Sequence, residues 1–239
     1  MNLTKYITIE IMALFVVANV FSACNKVKEV QEQDSVTIQK IDPNILHGVD
    51  IAKMAEEPCF NAYADACHTF VENTPDFTAE EIARFEELLR LLQEALNCEN
   101  SELAEKYANM IVNFFYKTDD INIGREKLEV FRNKCDMHLK EIGNLYPEFA
   151  VLSDNEKLEV LDACFGQKHQ KLQQMSCKQA CDNDYYLSGN VNATILALEL
   201  LGCTFTLAGA GICIGFAVAS YAASMGTAKY QHSNCLARC

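Results

Sequence analysis

The chain has 239 residues, half of them apolar, and a formal net charge of −13. This composition is typical of a globular protein with one or two domains, and it excludes a disordered chain. The acidic charge argues against nucleic acid as a partner, because no basic field is present to attract phosphates. Twelve cysteines are too many for an ordinary cytosolic protein and indicate an oxidising compartment.

The first 23 residues predict a secretory signal peptide, with a weakly positive start at Met1–Lys5 and an apolar run at Ile11–Phe21. The run ends in Phe21-Ser22-Ala23-Cys24, which resembles the lipobox of bacterial lipoproteins. The resemblance implies that residues 1–23 are removed and that Cys24 carries a lipid, such as palmitate. It also implies attachment to a membrane of the bacterial cell envelope, with the outer membrane favoured over the inner. The alternative is an ordinary cleaved signal peptide, with Cys24 as one more disulfide half.

Residues 24–48 are polar and lack helical periodicity, so they predict a flexible tether between the lipid and the folded region. Within them, Asp34-Ser35-Val36 resembles the short acceptor motif for O-glycosylation in envelope proteins of Bacteroidetes. The motif has only three residues, and we assign no role to any of them.

Capping signals and apolar spacing predict an all-α fold, with an antiparallel helical bundle over residues 49–176. Pro58 is suited to the first turn of a helix, and Thr78–Glu81 and Ser153–Glu156 fit capping boxes. No segment alternates for long enough to predict a strand. Breaks between helices are predicted at Thr74-Pro75, near Asn100, at Thr118–Gly124 and at Gly143–Leu152.

The six cysteines of residues 177–239 are spaced as a mirror image. At each end two cysteines are four residues apart, and 22 residues separate each inner member from the cysteine nearest the centre. Because residues i and i+4 share a helix face, this spacing predicts two antiparallel helices of equal length. The bundle therefore ends in a disulfide-stapled apolar helical hairpin. The predicted bonds are Cys177–Cys239, Cys181–Cys235 and Cys203–Cys213. The spacing also resembles the α-hairpinin scaffold of plants, a resemblance that implies a shape and no activity.

The cysteines outside the hairpin give weaker signals. Cys135 and Cys164 lie almost equally far from the predicted turn at Pro147, so they are expected to bridge two neighbouring antiparallel helices. The partners of the other three are left open: Cys59, Cys67 and Cys98. An odd number of cysteines after acylation requires a free thiol or an intermolecular bond.

The predicted hairpin is strongly apolar, since Glu199 is the only formal charge in residues 185–228. Residues 200–228 are long enough for a transmembrane helix, which is the alternative. We favour a buried hairpin, because Cys203 and Cys213 in one helix would lie ~15 Å apart and could not bond. A row of small residues predicts close approach of backbones: Gly211, Gly215, Ala219 and Ala223.

The sequence contains no strong catalytic, cofactor or metal motif. Cys135 with His138, and Cys164 with His169, have the spacing of metal ligands, but in an oxidising envelope these thiols are better disulfide candidates. We therefore expect a non-catalytic, lipid-anchored envelope protein without cofactor, which has a structural role or binds another envelope protein. The alternative is a membrane-active protein whose hairpin, residues 185–228, inserts into or spans a bilayer.

Overall fold

Helices make up nearly all of the fold, as the sequence predicts. The computed structural model describes residues 44–170, 175–203 and 209–239, all within one unit, Asp42–Cys239. The predicted signal peptide, Cys24 and the tether up to residue 43 lie outside the described residues. The elements are β1 (Ile45–Leu46), β2 (Val49–Asp50), α1 (Ile51–Met54), α2 (Pro58–Glu72), α3 (Ala79–Asn97), α4 (Ser101–Tyr116), α5 (Ile121–Leu145), α6 (Pro147–Ala150), α7 (Asp154–Gln170), α8 (Cys177–Gly202) and α9 (Ala210–Leu236).

Three of these helices begin with a capping box, in which a hydroxyl and a longer side chain satisfy each other's free backbone amides. The pairs are Thr78–Glu81, Ser153–Glu156 and Ser176–Gln179. The first two confirm the prediction. The third fixes the start of α8, and its Ser-x-x-Gln pattern was also readable in the sequence.

The break predicted at Thr118–Gly124 is shorter than expected, because α5 already begins at Ile121 and is capped by the Asp120 side chain. Gly124 therefore lies inside a helix. A Cβ atom added there would lie 2.8 Å from the Val112 side chain of α4. This glycine marks a close approach between two helices and not a turn.

The folded region also begins earlier than residue 49, where the sequence places the end of the tether. β1 and β2 pair antiparallel, with Leu46 opposite Val49. His47 and Gly48 at the turn both have positive φ, as a tight two-residue hairpin requires. The His47 ring hydrogen-bonds the Glu159 carboxylate of α7 at 2.7 Å, which attaches this small hairpin to the helices.

The α8–α9 hairpin lies at the centre of the fold. α8 packs on α2, α5 and α7, whereas α9 packs on α3 and α4. Contacts between α2 and α5, between α3 and α4 and between α4 and α5 complete the bundle. The side chains of Ala193 and Ala197 on α8 and of Val218 and Ala222 on α9 are completely buried. Residues 177–239 are therefore part of the core of the bundle.

Small residues of the hairpin face the outer helices. The sequence predicts that Gly215 brings the two hairpin helices together, but a Cβ added there would lie 2.7 Å from Ala108 of α4. Likewise, a Cβ at Gly189 of α8 would lie 2.9 Å from Val71 of α2. These glycines allow the hairpin to sit deep between its neighbours.

Candidate functional sites: the disulfide-bonded hairpin and the outer face of α5

The hairpin is closed covalently at both ends. We call the two bonds near residues 177 and 239 the base disulfides and the remaining one the tip disulfide. The Cα–Cα distances are 5.6 Å for Cys177–Cys239, 5.7 Å for Cys181–Cys235 and 5.7 Å for Cys203–Cys213. All three bonds confirm the pairing predicted from the mirrored spacing, and their distances are ordinary for disulfides.

Polar and aromatic contacts between α8 and α9 continue this pairing from the base disulfides toward the tip. His232 of α9 hydrogen-bonds Asp182 of α8 at 2.8 Å, and its ring stacks on Tyr185 with centroids 4.8 Å apart. The two base disulfides also lie close together, since Cys181 Sγ and Cys239 Sγ are 3.5 Å apart. The sulfur atoms of Cys177, Cys181 and Cys239 form the one cluster of potential metal ligands found among the described residues. Each of these atoms already takes part in a disulfide bond.

The predicted bond between Cys135 and Cys164 is wrong, because both are free thiols. The prediction assumed that helices adjacent in sequence around Pro147 also pack together. Instead, α5, which carries Cys135, packs on α2, and α7, which carries Cys164, packs on α1 and α8. The Cys164 thiol donates to the Ile51 carbonyl oxygen at 3.8 Å, and burial raises its pKa to about 12.

A buried polar cluster lies where α2, α5 and α8 meet. The Tyr63 hydroxyl donates to Thr194 Oγ1 at 3.1 Å, and Cys67 Sγ lies 3.8 Å from the same oxygen. Cys135 of α5 interacts with Cys67 in the same cluster. All four side chains are completely buried. The interaction with Cys67, together with burial, raises the pKa of Cys135 far above its usual range. Both effects keep this thiol protonated and unreactive in the folded chain.

A shallow depression of about 350 Å³ lies between α3 and α4. Its two cationic side chains are already paired, Arg84 with Glu87 and Lys117 with Glu81 at 2.9 Å. The depression therefore offers no free cation to an anionic ligand. Its lining is Arg84, Leu88, Met110, Asn113, Phe114, Lys117, Thr118 and Asp119.

The outer face of α5 carries an exposed apolar stripe. Ile123, Val130 and Met137 are 44%, 51% and 49% exposed. They are spaced seven residues apart, so they lie along one side of the helix, away from the buried Leu128 and Phe131. The seven-residue spacing of these three residues is visible in the sequence, but the sequence alone does not show which side of α5 the other helices cover.

Charges beside the stripe are arranged symmetrically about its centre. Glu126 lies four residues before Val130 and Lys134 four residues after it, and both side chains are exposed. Neither forms an ion pair with another described residue. In the same way, Ile123 lies seven residues before Val130 and Met137 lies seven residues after it. The face of α5 is therefore complementary to the same face of a second, antiparallel copy of the helix.

One described helix, α9, is long and apolar enough to cross a membrane, with a mean hydropathy of 1.4 over its most apolar window, of which 39% is buried. The single span considered for residues 200–228 is wrong, because α8 ends at Gly202 and α9 begins at Ala210. The tip disulfide joins the two helices across that break.

Glu199, the only charge of the apolar stretch, lies in the last turn of α8. Its burial raises the pKa of the carboxyl from 4.5 to about 7. The charged form is therefore disfavoured in the folded chain, and Glu199 makes stability fall as pH rises from about 4.5 to about 7.

No protein-family model, no curated protein and no solved structure matches this chain.

The pairing of Cys181 with Cys235 predicts a non-additive pair of mutations. We expect Cys181→Ser and Cys235→Ser to lower the free energy of unfolding by similar amounts, up to about 4 kcal/mol, and the double variant to lose little more. Urea unfolding at about pH 5 measures this, since protonated thiols exchange slowly with the nearby disulfide. Cys98→Ser, at an exposed free cysteine, is the control, and additive losses would contradict the pairing.

The raised pKa of Glu199 predicts a pH-dependent gain in stability for Glu199→Gln. Below about pH 4 the carboxyl is protonated in the folded and unfolded chain, so the two proteins should be equally stable. Between about pH 4.5 and 7 the unfolded chain has lost this proton while the folded chain still holds it, so the wild type loses stability as pH rises through this range. The variant should become more stable than the wild type by up to about 3 kcal/mol, and the difference should be nearly complete at pH 8. Urea unfolding at pH 4, 6 and 8 measures the difference, with the exposed Glu86→Gln as control. A difference independent of pH would refute the prediction.

Proposed function

We propose that the protein is a non-catalytic lipoprotein of the bacterial cell envelope that self-associates through the outer face of α5. The observation that carries the exported location is the set of three disulfides in the hairpin, because such bonds persist in oxidising compartments. The lipobox-like Phe21–Cys24 supports attachment through a lipid on Cys24. Its role is then structural, as an anchored bundle that presents one face to a protein partner.

The partner that fits the α5 face is a second copy of the chain. In an antiparallel pair related by a two-fold axis through Val130, each Ile123 meets the Met137 of the other copy. Glu126 of each copy then faces Lys134 of the other, so opposite charges flank an apolar centre on both sides. A two-fold interface requires this kind of self-complementary patch, and charges at its rim select the partner and its orientation.

The lipid anchor makes a modest interface sufficient. α5 has 25 residues and is therefore about 37 Å long. The surface area that one pair of helices of this length buries is at the low end of the range for stable interfaces. Anchored copies are confined to one membrane surface, and this confinement raises their effective concentration without any added contact. We therefore expect dimers in the envelope and weak association in dilute detergent solution.

The lipid anchor is tested at Cys24. Cells expressing the full chain are labelled with a palmitate analogue, and incorporation into the purified protein is measured. We expect label in the wild type and in Cys98→Ser, the control for a general effect of losing a cysteine, and none in Cys24→Ser. An unlabelled wild type would instead support an ordinary cleaved signal peptide.

Self-association is tested by reversing charges on α5. Glu126→Lys and Lys134→Glu should each reduce the dimer fraction several-fold, because each places like charges opposite one another twice in the pair. The double variant restores both ion pairs and should recover the dimer. The dimer fraction is measured in the envelope by photocrosslinking with a reagent that does not react with lysine amines, because the variants add or remove lysines. Glu86→Lys on α3 is the control. A double variant that stays as monomeric as the single ones would rule out this arrangement.

A further inference from the structure

α2 and α5 pack as antiparallel neighbours, and two contacts fix their register. At one end the Tyr146 hydroxyl, just after α5, donates to Glu57 Oε1, just before α2, at 3.2 Å. At the other end the rings of Phe70 and Phe131 stack with centroids 4.0 Å apart. These contacts define which residues of the two helices lie opposite each other.

One helical turn from the stacked rings, this register brings two cysteines together. Three residues back from Phe70 along α2 is Cys67, and four residues forward from Phe131 along α5 is Cys135. Residues three or four apart share a face of a helix, so both thiols point into the same interface as the rings. Both side chains are completely buried, and Cys67 is the neighbour that raises the pKa of Cys135 most.

We propose that Cys67 and Cys135 form a fourth disulfide bond in the exported protein. The reaction is a thiol–disulfide exchange in which a protein of the disulfide-oxidoreductase class supplies the oxidising disulfide. The S–S bond of the oxidant breaks, the Cys67–Cys135 bond forms, and two protons and two electrons reduce the oxidant to a dithiol. The inference rests on the exported location proposed above.

The bond forms before the core is complete. In the folded chain both sulfur atoms are inaccessible to an oxidant, and the Cys135 thiol stays protonated. Exchange requires a thiolate and access, so it takes place while α2 and α5 are still exposed. The bond joins segments separated by α3 and α4, and it lies beside Thr194 of α8. It therefore ties the outer pair α2–α5 together next to the disulfide-bonded hairpin.

The fourth bond also accounts for the thiols that remain. The described chain has five cysteines outside the hairpin, namely Cys59, Cys67, Cys98, Cys135 and Cys164. Removing one pair leaves three thiols, of which only Cys98 is exposed. Cys98 is then the thiol most accessible to reagents in the folded protein.

The test is non-reducing peptide mapping of the full chain purified from the envelope, after alkylation in denaturant. We expect one cross-linked peptide that contains Cys67 and Cys135, the three hairpin disulfides, and alkylation at Cys59, Cys98 and Cys164. The hairpin bonds serve as an internal reporter of export. If they are intact while Cys67 and Cys135 are alkylated or joined to other cysteines, the fourth bond is refuted and the exported location stands. If all cysteines are alkylated, both proposals fail.

Variants give a second measurement. Cys67→Ala should make Cys135 alkylatable, and Cys135→Ala should do the same for Cys67, while Cys164→Ala, at an equally buried free thiol, should leave the cross-linked peptide unchanged. Loss of that peptide in Cys164→Ala would overturn the assignment. The wild-type map does not depend on whether any variant folds.

Discussion

Covalent closure at the base and at the tip of one helical hairpin sets the register on which the other helices depend. α8 and α9 have 26 and 27 residues, and the bonds near their ends hold them side by side. α2, α5 and α7 pack on one helix of the pair, and α3 and α4 pack on the other. α9 is rich in alanine and glycine, and the cross-links stabilise its pairing with α8 by reducing the entropy of the unfolded chain.

Small and large side chains have separate roles in this core. The hairpin supplies small residues such as Gly189 and Gly215, at which the backbone approaches neighbouring helices. The outer helices supply aromatic rings, and Phe70, Phe115 and Phe131 contact one another or Tyr221 of α9. Large rings fill the space that the small residues leave, which gives the dense packing that a stable interior requires.

The sequence predicted what is encoded within one contiguous segment. The capping boxes at Thr78 and Ser153 and the mirrored cysteines depend on spacing along a single helix or hairpin, so local geometry was enough. Cys135 was assigned to the wrong helix because its true neighbour, Cys67, lies on α2, and only tertiary packing brings α2 to α5. For the same reason the outer face of α5 emerged only when the structure showed which side of that helix is covered.

The composition of α9 bears on the export proposed above. An exported chain passes through a channel that releases sufficiently apolar helices sideways into the lipid, and α9 reaches a mean hydropathy of 1.4. Leucine, isoleucine, phenylalanine and valine drive that release, each by a few tenths of a kcal/mol. Much of α9 is instead alanine, glycine and serine, which contribute little to it. In the export that we propose, the same small side chains that let α9 pack closely inside the bundle would also help the unfolded chain to cross the membrane without stopping in it.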